Sequence, residues 1–257
     1  MRFFKFAVLV FSLTFLISAS CKNQTSAEHV SNKPEQEQKK KNKEYNPKNL
    51  KLLSEFIDTL LLNRFYPEIK KFENKDSLNG NRNFDIVFVG SSSIRKWKSL
   101  EHDMKGLTVL NRGFGGSTVP EAIFYANTLF FKHKPKKIIF YSGDNDVAIL
   151  KTSVNKIIGS YIYLYELLSQ KMPNTDIFIL SIKPSPGRWK FWPQMMEVNI
   201  ALKDFCNKNT NCEFIDVSSD LIDTNGILKE ELFKNDRIHL NEKGYGIWTE
   251  IILPEIK

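Results

Sequence analysis

The stretch Phe84-Asp85-Ile86-Val87-Phe88-Val89-Gly90-Ser91-Ser92-Ser93-Ile94-Arg95 decides how the rest of this chain is interpreted. Its first half is a run of branched and aromatic apolar residues, which is typical of a buried strand in a parallel sheet. The run ends at a glycine and three serines, so hydroxyl groups stand where the strand stops. Because ligands bind at the carboxyl ends of strands in open α/β sheets, these serines are candidates for a functional site.

Length and composition indicate one large globular domain with shorter appendages. The chain has 257 residues, and 42% of them are hydrophobic, which is enough to build a substantial core. The formal net charge is +8, but residues 1–48 alone carry nine Lys or Arg against four Asp or Glu. Most of the positive excess therefore lies outside the predicted domain, which argues against a nucleic-acid-binding protein. The three cysteines form no C-x-x-C pair, so the sequence predicts no metal site.

The first 21 residues have the organisation of an export signal. Arg2 and Lys5 precede an apolar run over 6–17, and small residues lead to Cys21. The apolar run is shorter than the roughly 20 residues that span a bilayer. A cysteine after small residues resembles a bacterial lipoprotein cleavage site. The resemblance implies a signal peptide over 1–20, a lipid on Cys21, and anchoring on the periplasmic or cell-surface side of a bacterial membrane. An ordinary secretory signal with an incidental cysteine is the alternative.

Residues 21–48 are predicted to form a disordered tether between this anchor and the domain. The segment contains almost no apolar side chains, so it cannot bury enough surface to offset the entropy lost on ordering. The lysines at 39–41 could contact anionic headgroups, although a solvated linker is the simpler interpretation.

The predicted domain covers 49–257, where helical and strand patterns alternate. Apolar residues three and four positions apart predict an amphipathic helix at 50–61 and a shorter helix at 66–72. Strands are predicted at 85–89, 107–110, 137–142, 176–182 and 213–216, and helices at 94–99, 118–131, 153–171, 191–208 and 242–252. Such alternation favours a parallel sheet covered by helices on both faces.

Four segments with reactive side chains adjoin these elements. They are Gly90–Ser93 after the first strand, Asn111–Ser117 after the second, Ser142–Asp146 after the third, and Asp236–Asn241 ahead of the last helix. Because the carboxyl ends of parallel strands meet at one edge of a sheet, these segments are expected to converge there.

Taken together, the segments resemble the SGNH/GDSL hydrolase superfamily, and in particular the subgroup of platelet-activating factor acetylhydrolase catalytic subunits and related bacterial esterases. The resemblance runs from about residue 65 to 252. It implies a three-layer α/β/α domain with a flavodoxin-like, five-stranded parallel sheet. It also implies a serine ester hydrolase that needs no cofactor.

The resemblance assigns a nucleophile and an oxyanion hole. The tripeptide at 90–92 matches the family's Gly-Asp-Ser, which makes Ser92 the nucleophile and its N–H one oxyanion donor. Ser91 replaces the usual Asp of that motif, and Ser93 is the alternative nucleophile. The other two implied donors are the Gly116 N–H and the Asn145 side-chain amide.

Elementary chemistry supports a serine–histidine–aspartate arrangement beside the resemblance. A serine hydroxyl is a poor nucleophile until a base takes its proton. His239 can act as that base because imidazole titrates near neutral pH. Asp236, which matches the family's Asp-x-x-His, can hold the ring and stabilise its cation. Each segment also has an ordinary interpretation as a turn or helix cap, but all four in this order favour catalysis.

Two further features leave alternatives open. Residues 183–193 form a connector rich in Pro, Trp and Arg, where Trp189 and Trp192 are candidates for the substrate pocket. Hydrophobic cover for the core is an equally good interpretation of these tryptophans. Cys206 and Cys212, six positions apart, could form a disulfide in an exported protein or remain free thiols.

The resemblance therefore implies an esterase that hydrolyses short acyl esters, such as O-acetyl groups, through an acyl-enzyme. A lysophospholipase-type lipid esterase, an acyl transferase and a non-catalytic glycan-binding lipoprotein of the same fold are the alternatives. The expected partners are a small-molecule or glycan ester and, through Cys21, a membrane.

Overall fold

The computed structural model describes residues 64–79 and 83–257. The predicted signal peptide, Cys21, the tether and the helix at 50–61 lie outside these residues. None of the helices in the described residues is both long enough and apolar enough to cross a membrane.

The centre of the domain is a five-stranded, all-parallel sheet. Its strands are β1 Ile86–Gly90, β2 Val109–Gly113, β3 Lys137–Tyr141, β4 Asp176–Leu180 and β5 Cys212–Ile215. They lie in the order β2-β1-β3-β4-β5, so the flavodoxin-like order is confirmed. The strand order reverses direction between β1 and β3, and the carboxyl ends on either side of that point form the crevice where such sheets bind ligands.

Helices follow the strands along the chain. The α-helices are α1 Tyr66–Asn79, α2 Ser92–Arg95, α3 Leu100–Asp103, α4 Val119–Phe124, α5 Asp144–Ala148, α6 Val154–Lys171, α7 Trp192–Cys206 and α8 Glu242–Ile256. A π-helical turn covers Asn127–Phe131, and 3₁₀ segments cover Pro186–Phe191, Ser219–Leu221 and Glu230–Leu232.

The sheet is buried on both faces, which explains the continuous apolar run of β1. Val87 and Val89 point into one core, which α4, α6 and α7 complete. Ile86 and Phe88 point into a second core, where α2, α3 and α8 pack. Since successive side chains of a strand alternate between faces, both sets must be apolar. The α/β/α fold class is thus confirmed.

Two boundaries predicted from the sequence are wrong for a shared reason. β2 runs to Gly113 instead of ending at 110, and α1 continues to Asn79 instead of ending at 72. Arg112, a charged residue inside β2, is almost fully buried and pairs with Asp76 on α1. A buried ion pair makes this arginine tolerable in the strand, and it fastens the end of the helix to the sheet.

Gly90 allows the first strand to end close to β3. Its φ is +152°, and a Cβ at this position would overlap the backbone of Tyr141. A side chain is therefore excluded where the chain turns from β1 toward the serines.

The two cysteines of the last αβ connection are both buried and both free. Cys206 Sγ lies 2.8 Å from Cys212 Sγ. The structure thus brings the thiols together without joining them.

Candidate active site

The serine predicted as nucleophile lies at the carboxyl end of β1. Ser92 is the first residue of α2, directly after the helix cap Ser91. The backbone carbonyl of Ser91 accepts hydrogen bonds from the N–H groups of Ile94 and Arg95, both at 3.1 Å. The helix therefore begins two residues earlier than the sequence pattern predicted, and its first turn carries the Ser92 hydroxyl.

His239 and Asp236 reach Ser92 from the loop ahead of α8. His239 Nε2 lies 2.8 Å from Ser92 Oγ, and His239 Nδ1 lies 2.6 Å from Asp236 Oδ2. Asp236 Oδ1 accepts the backbone N–H groups of Ile238 and His239, each at 3.0 Å. Because a carboxylate only accepts hydrogen bonds, Nδ1 carries the imidazole proton and Nε2 is left to accept the serine proton.

The alternative nucleophile, Ser93, is placed elsewhere. Its side chain is 1% exposed, and its hydroxyl makes no hydrogen bond with the described residues, although the Tyr141 phenol lies nearby. The hydrogen bond of His239 goes to Ser92. The geometry therefore favours Ser92 over Ser93.

Gly116 lies in a loop that is anchored on several sides. Its φ is +85°, and a Cβ there would meet nothing within 4 Å, so the space beside its backbone is open. Arg64 Nη2 donates to the Gly116 carbonyl at 3.1 Å. Ser117 Oγ donates to the Phe114 carbonyl at 2.9 Å. These contacts hold the backbone beside the open space.

The side chain of Asn145 is joined to the same loop. It lies in the first turn of α5, is 2% exposed, and its Nδ2 donates to the Ser117 carbonyl at 2.9 Å. The structure thus brings the second and third predicted segments together through Ser117 and Asn145.

The sequence family follows from the segment that carries these residues. The model of the GDSL-like lipase/acylhydrolase family matches residues 89–247, which is more than half of the chain and includes Ser92, Asp236 and His239. The chain belongs to the GDSL-like lipase/acylhydrolase family. It is therefore an ester hydrolase of the SGNH/GDSL type.

Solved structures share the fold of this acylhydrolase. A Streptococcus pneumonia protein provisionally named a platelet activating factor is 22% identical with a TM-score of 0.66, covering 77% of this chain and 97% of its own. A GDSL-like lipase from Bacteroides thetaiotaomicron is 17% identical with a TM-score of 0.64, covering 73% and 96%. A variant of an acetyl-xylooligosaccharide esterase from Geobacillus Stearmophilus is 16% identical with a TM-score of 0.52, covering 67% and 94%. A search of curated proteins finds no match.

Two lysines that the sequence analysis missed surround the acylhydrolase's histidine. Lys96 Nζ lies 3.0 Å from His239 Nδ1 and 3.4 Å from Asp236 Oδ2. Lys183 is 2% exposed and donates to the carbonyl of Ile238 at 2.7 Å. No sequence signal identifies either residue, because each reaches the histidine from a distant part of the chain.

These surroundings set the protonation of the site. Burial lowers the pKa of His239 below its usual value; Asp236 opposes this, and the charges of Lys96 and Lys183 reinforce it. Burial raises the pKa of Asp236, but hydrogen bonds from His239 and the Ile238 N–H outweigh burial and hold it well below its usual value. These shifts favour an anionic Asp236 and a neutral His239 at neutral pH.

Arg188 is a further residue that was not assigned a role from the sequence. Its guanidinium lies 2.9 Å from Asp144 Oδ2 and 3.0 Å from Asn145 Oδ1. It lies in the Pro- and Trp-rich connector that the sequence analysis singled out, so the unusual composition was the available signal.

The two candidate pocket tryptophans have different environments. Trp192 is 8% exposed and belongs to the hydrophobic core, so it acts as cover, and its assignment to the pocket is not supported. Trp189 is 40% exposed and stacks on Trp192 with ring centroids 6.4 Å apart. Only Trp189 therefore presents a face to a ligand.

A cleft of about 390 Å³ adjoins the loop that carries Asp236 and His239. It is lined by Pro186, Glu230, Phe233, Lys234, Asn235 and Arg237, and so lies beside this loop without being lined by any of the three candidate catalytic residues. Within residues 64–79 and 83–257, no three His, Cys, Asp or Glu side chains cluster as a metal site would require.

Proposed function

We propose that this acylhydrolase is a serine esterase that removes short acyl groups, such as acetyl, through a covalent acyl-enzyme. The observation that carries the proposal is the chain of contacts from Ser92 Oγ to His239 Nε2 at 2.8 Å and from His239 Nδ1 to Asp236 Oδ2 at 2.6 Å. This is the geometry that activates a hydroxyl nucleophile.

In the first step Ser92 Oγ attacks the ester carbonyl carbon and its proton passes to His239 Nε2. The imidazolium is stabilised by Asp236 and returns the proton to the alcohol oxygen as the C–O bond breaks. Water then repeats the sequence on the acyl-enzyme, with His239 taking its proton and Ser92 as the leaving group. The carboxylic acid is released and the serine is regenerated.

The oxyanion of the tetrahedral intermediate would receive the N–H groups of Ser92 and Gly116 and the Asn145 amide. Two features support these donors. The space beside Gly116 is open, and Asn145 is held against the Gly116 loop through the Ser117 carbonyl. Each such donor typically contributes about 3 kcal/mol to transition-state stabilisation.

The preference for a short acyl group, and for a glycan as the alcohol part, rests on two observations. Structural neighbours include an acetyl esterase, a carbohydrate esterase and an acetyl-xylooligosaccharide esterase. The half-exposed ring of Trp189 provides a face on which the alcohol part of a substrate, such as a sugar ring, could stack. An O-acetylated glycan fits both observations.

A lipid ester is the second candidate, and exposed apolar side chains favour it. Ile149 and Leu150, directly after α5, are 54% and 44% exposed, next in sequence to the Asn145 helix. Apolar side chains at such a place could receive an acyl chain or a lipid surface.

The experiment that tests the proposal measures hydrolysis of p-nitrophenyl esters from acetate to octanoate by the purified protein, and peptide masses after a rapid acid quench and digestion at low pH. We expect the highest kcat/KM with acetate and an added mass of one acetyl group on the peptide that contains Ser92. A maximum at octanoate would instead support the lipid ester. A folded protein with neither turnover nor a covalent adduct would contradict the serine esterase.

Removing the charge of Lys96 should change the pH dependence of the reaction. A cation beside an imidazole disfavours the imidazolium, so Lys96→Met should raise the pKa of His239. Because the base must be neutral to act, the acid limb of the kcat/KM profile should move to higher pH, with full activity retained on the alkaline side. Lys98→Met, which removes an exposed lysine two positions away, is the control and should leave the profile unchanged. An acid limb that stays in place, or moves to lower pH, would contradict this assignment.

A further inference from the structure

The Arg188 side chain contacts both a carboxylate and an amide in the first turn of α5. Its Nη1 donates to Asp144 Oδ2 at 2.9 Å and its Nη2 donates to Asn145 Oδ1 at 3.0 Å. The arginine side chain is 12% exposed and that of Asp144 is 3% exposed. Charge-assisted hydrogen bonds in such a buried setting are strong and directional.

The partners of Asn145 fix which way its amide faces. A guanidinium can only donate, so the atom that faces Arg188 must be the amide oxygen. A backbone carbonyl can only accept, so the atom that faces the Ser117 carbonyl must be Nδ2. An amide NH₂ carries two hydrogens and Ser117 takes one. No described residue accepts the other, which leaves it for a ligand.

The segment that carries Arg188 is itself held against the loop of the catalytic histidine. The Gly187 N–H donates to the carbonyl of Arg237 at 2.7 Å, and the Arg188 N–H donates to the carbonyl of Ser185 at 3.0 Å. Arg188 has φ −126° and ψ 16°, which breaks the helical geometry of the 3₁₀ segment. These contacts join the N-terminal side of the kink to the loop that carries His239.

We propose that Arg188 is a positioning residue of the oxyanion hole. It holds the Asn145 amide oxygen, and thereby leaves the second Nδ2 hydrogen pointing to where the oxyanion forms. A cation on the amide oxygen also draws electron density from the nitrogen, which makes that N–H a stronger donor. The inference rests on the proposed function, since it needs Asn145 to act on an oxyanion.

Asp144 has a separate part in this arrangement. Its second oxygen, Oδ1, lies 3.4 Å from Ser91 Oγ, the serine that replaces the family's usual aspartate. In this chain the carboxylate at this place thus belongs to Asp144 and not to residue 91. The same carboxylate holds the Arg188 guanidinium. An aspartate at 91 would put two carboxylates together in a buried site, which is unfavourable.

The test is a double-mutant cycle between Arg188→Ala and Asn145→Ala, read as kcat and KM for p-nitrophenyl acetate. Asn145→Ala should lower kcat by about 10²- to 10³-fold. Arg188→Ala should lower kcat by up to about 10²-fold with little change in KM, since a misplaced group costs that much. If Arg188 acts through Asn145, the double variant should be no slower than Asn145→Ala alone. Lys190→Ala removes an exposed cation from the same segment and is the control.

A second variant covers the case in which Arg188→Ala does not fold, because Asp144 would then be buried without its partner. Arg188→Ala combined with Asp144→Asn removes both charges, and it should fold yet keep the loss of kcat. Ethylguanidinium in the buffer should restore turnover to variants that lack Arg188 but retain Asn145, and should not restore the variant that lacks both.

The outcomes separate this inference from the proposed function. Additive losses in the cycle, or full kcat in Arg188→Ala, would overturn the role of Arg188 while the parent still hydrolyses the ester through Ser92. A folded parent with no turnover and no adduct on Ser92 would overturn the serine esterase itself, and the positioning role with it.

Discussion

Ser92→Ala should lower kcat for ester hydrolysis on the order of 10⁴-fold or more, whereas Ser93→Ala should leave it within a few-fold of the parent. The alanine variant retains the oxyanion donors and the binding surface but has no atom that can form the acyl-enzyme, and loss of a nucleophile in a Ser–His–Asp arrangement costs this much. Steady-state kinetics with p-nitrophenyl acetate measures the loss.

The serine pair provides its own matched control, because the two residues are neighbours in the first turn of α2. The polar group beside Ser93 Oγ is the Tyr141 phenol and the hydrogen bond of His239 goes to Ser92, so truncating Ser93 leaves the catalytic contacts in place. An organophosphonate that labels hydroxyl nucleophiles should modify the parent and Ser93→Ala, and should leave Ser92→Ala unmodified. If Ser93→Ala alone lost both turnover and labelling, the nucleophile would be Ser93 and the structural assignment would be wrong.

The sequence predicted the sheet and the convergence of the candidate site because both depend on local patterns. An apolar run that stops at small polar residues identifies both a buried strand and the edge at which it ends, as at Gly90 and Ser142. Parallel pairing then places the carboxyl ends of the strands at one edge of the sheet, independently of how the helices pack. Ser92, Gly116 and Asn145 lie at this edge for this reason, whereas His239, 147 positions after Ser92, reaches it from the loop ahead of α8.

What the sequence could not show depends on loop conformation and on distant charge pairing. Arg188 reaches Asn145 only because the 3₁₀ segment is kinked at that residue, and no composition rule fixes such a dihedral. Lys96 faces His239 because α2 is a single turn that begins at Ser92. The end of β2 was misplaced because a charged residue in a strand is normally a stop signal, and here Asp76 neutralises it from another element.

Asp236→Asn should lower kcat on the order of 10³- to 10⁴-fold, because it should hold His239 in the wrong tautomer. Asp236 has two distinct oxygens: Oδ1 accepts the N–H groups of Ile238 and His239, and Oδ2 accepts His239 Nδ1–H. An asparagine must keep its oxygen on the two backbone donors. Its NH₂ group then faces Nδ1 and donates to it. The imidazole proton would then lie on Nε2, and a protonated Nε2 cannot accept the Ser92 proton.

Combining Asp236→Ala with Lys96→Met tests directly whether the tautomer of His239 limits kcat. Without the carboxylate, the Lys96 ammonium, 3.0 Å from His239 Nδ1, is the donor that remains beside the ring, and it would favour the same unproductive tautomer. Removing it from the Asp236→Ala variant should therefore raise kcat, although Lys96→Met alone changes only the pH profile of the parent. The proton position can be read directly from the ¹⁵N shifts of the His239 ring, which should show Nδ1–H in the parent and Nε2–H in Asp236→Asn. If Asp236→Asn kept Nδ1–H and still lost activity, the tautomer argument would fail, and the carboxylate would act instead by stabilising the imidazolium that forms when Ser92 attacks.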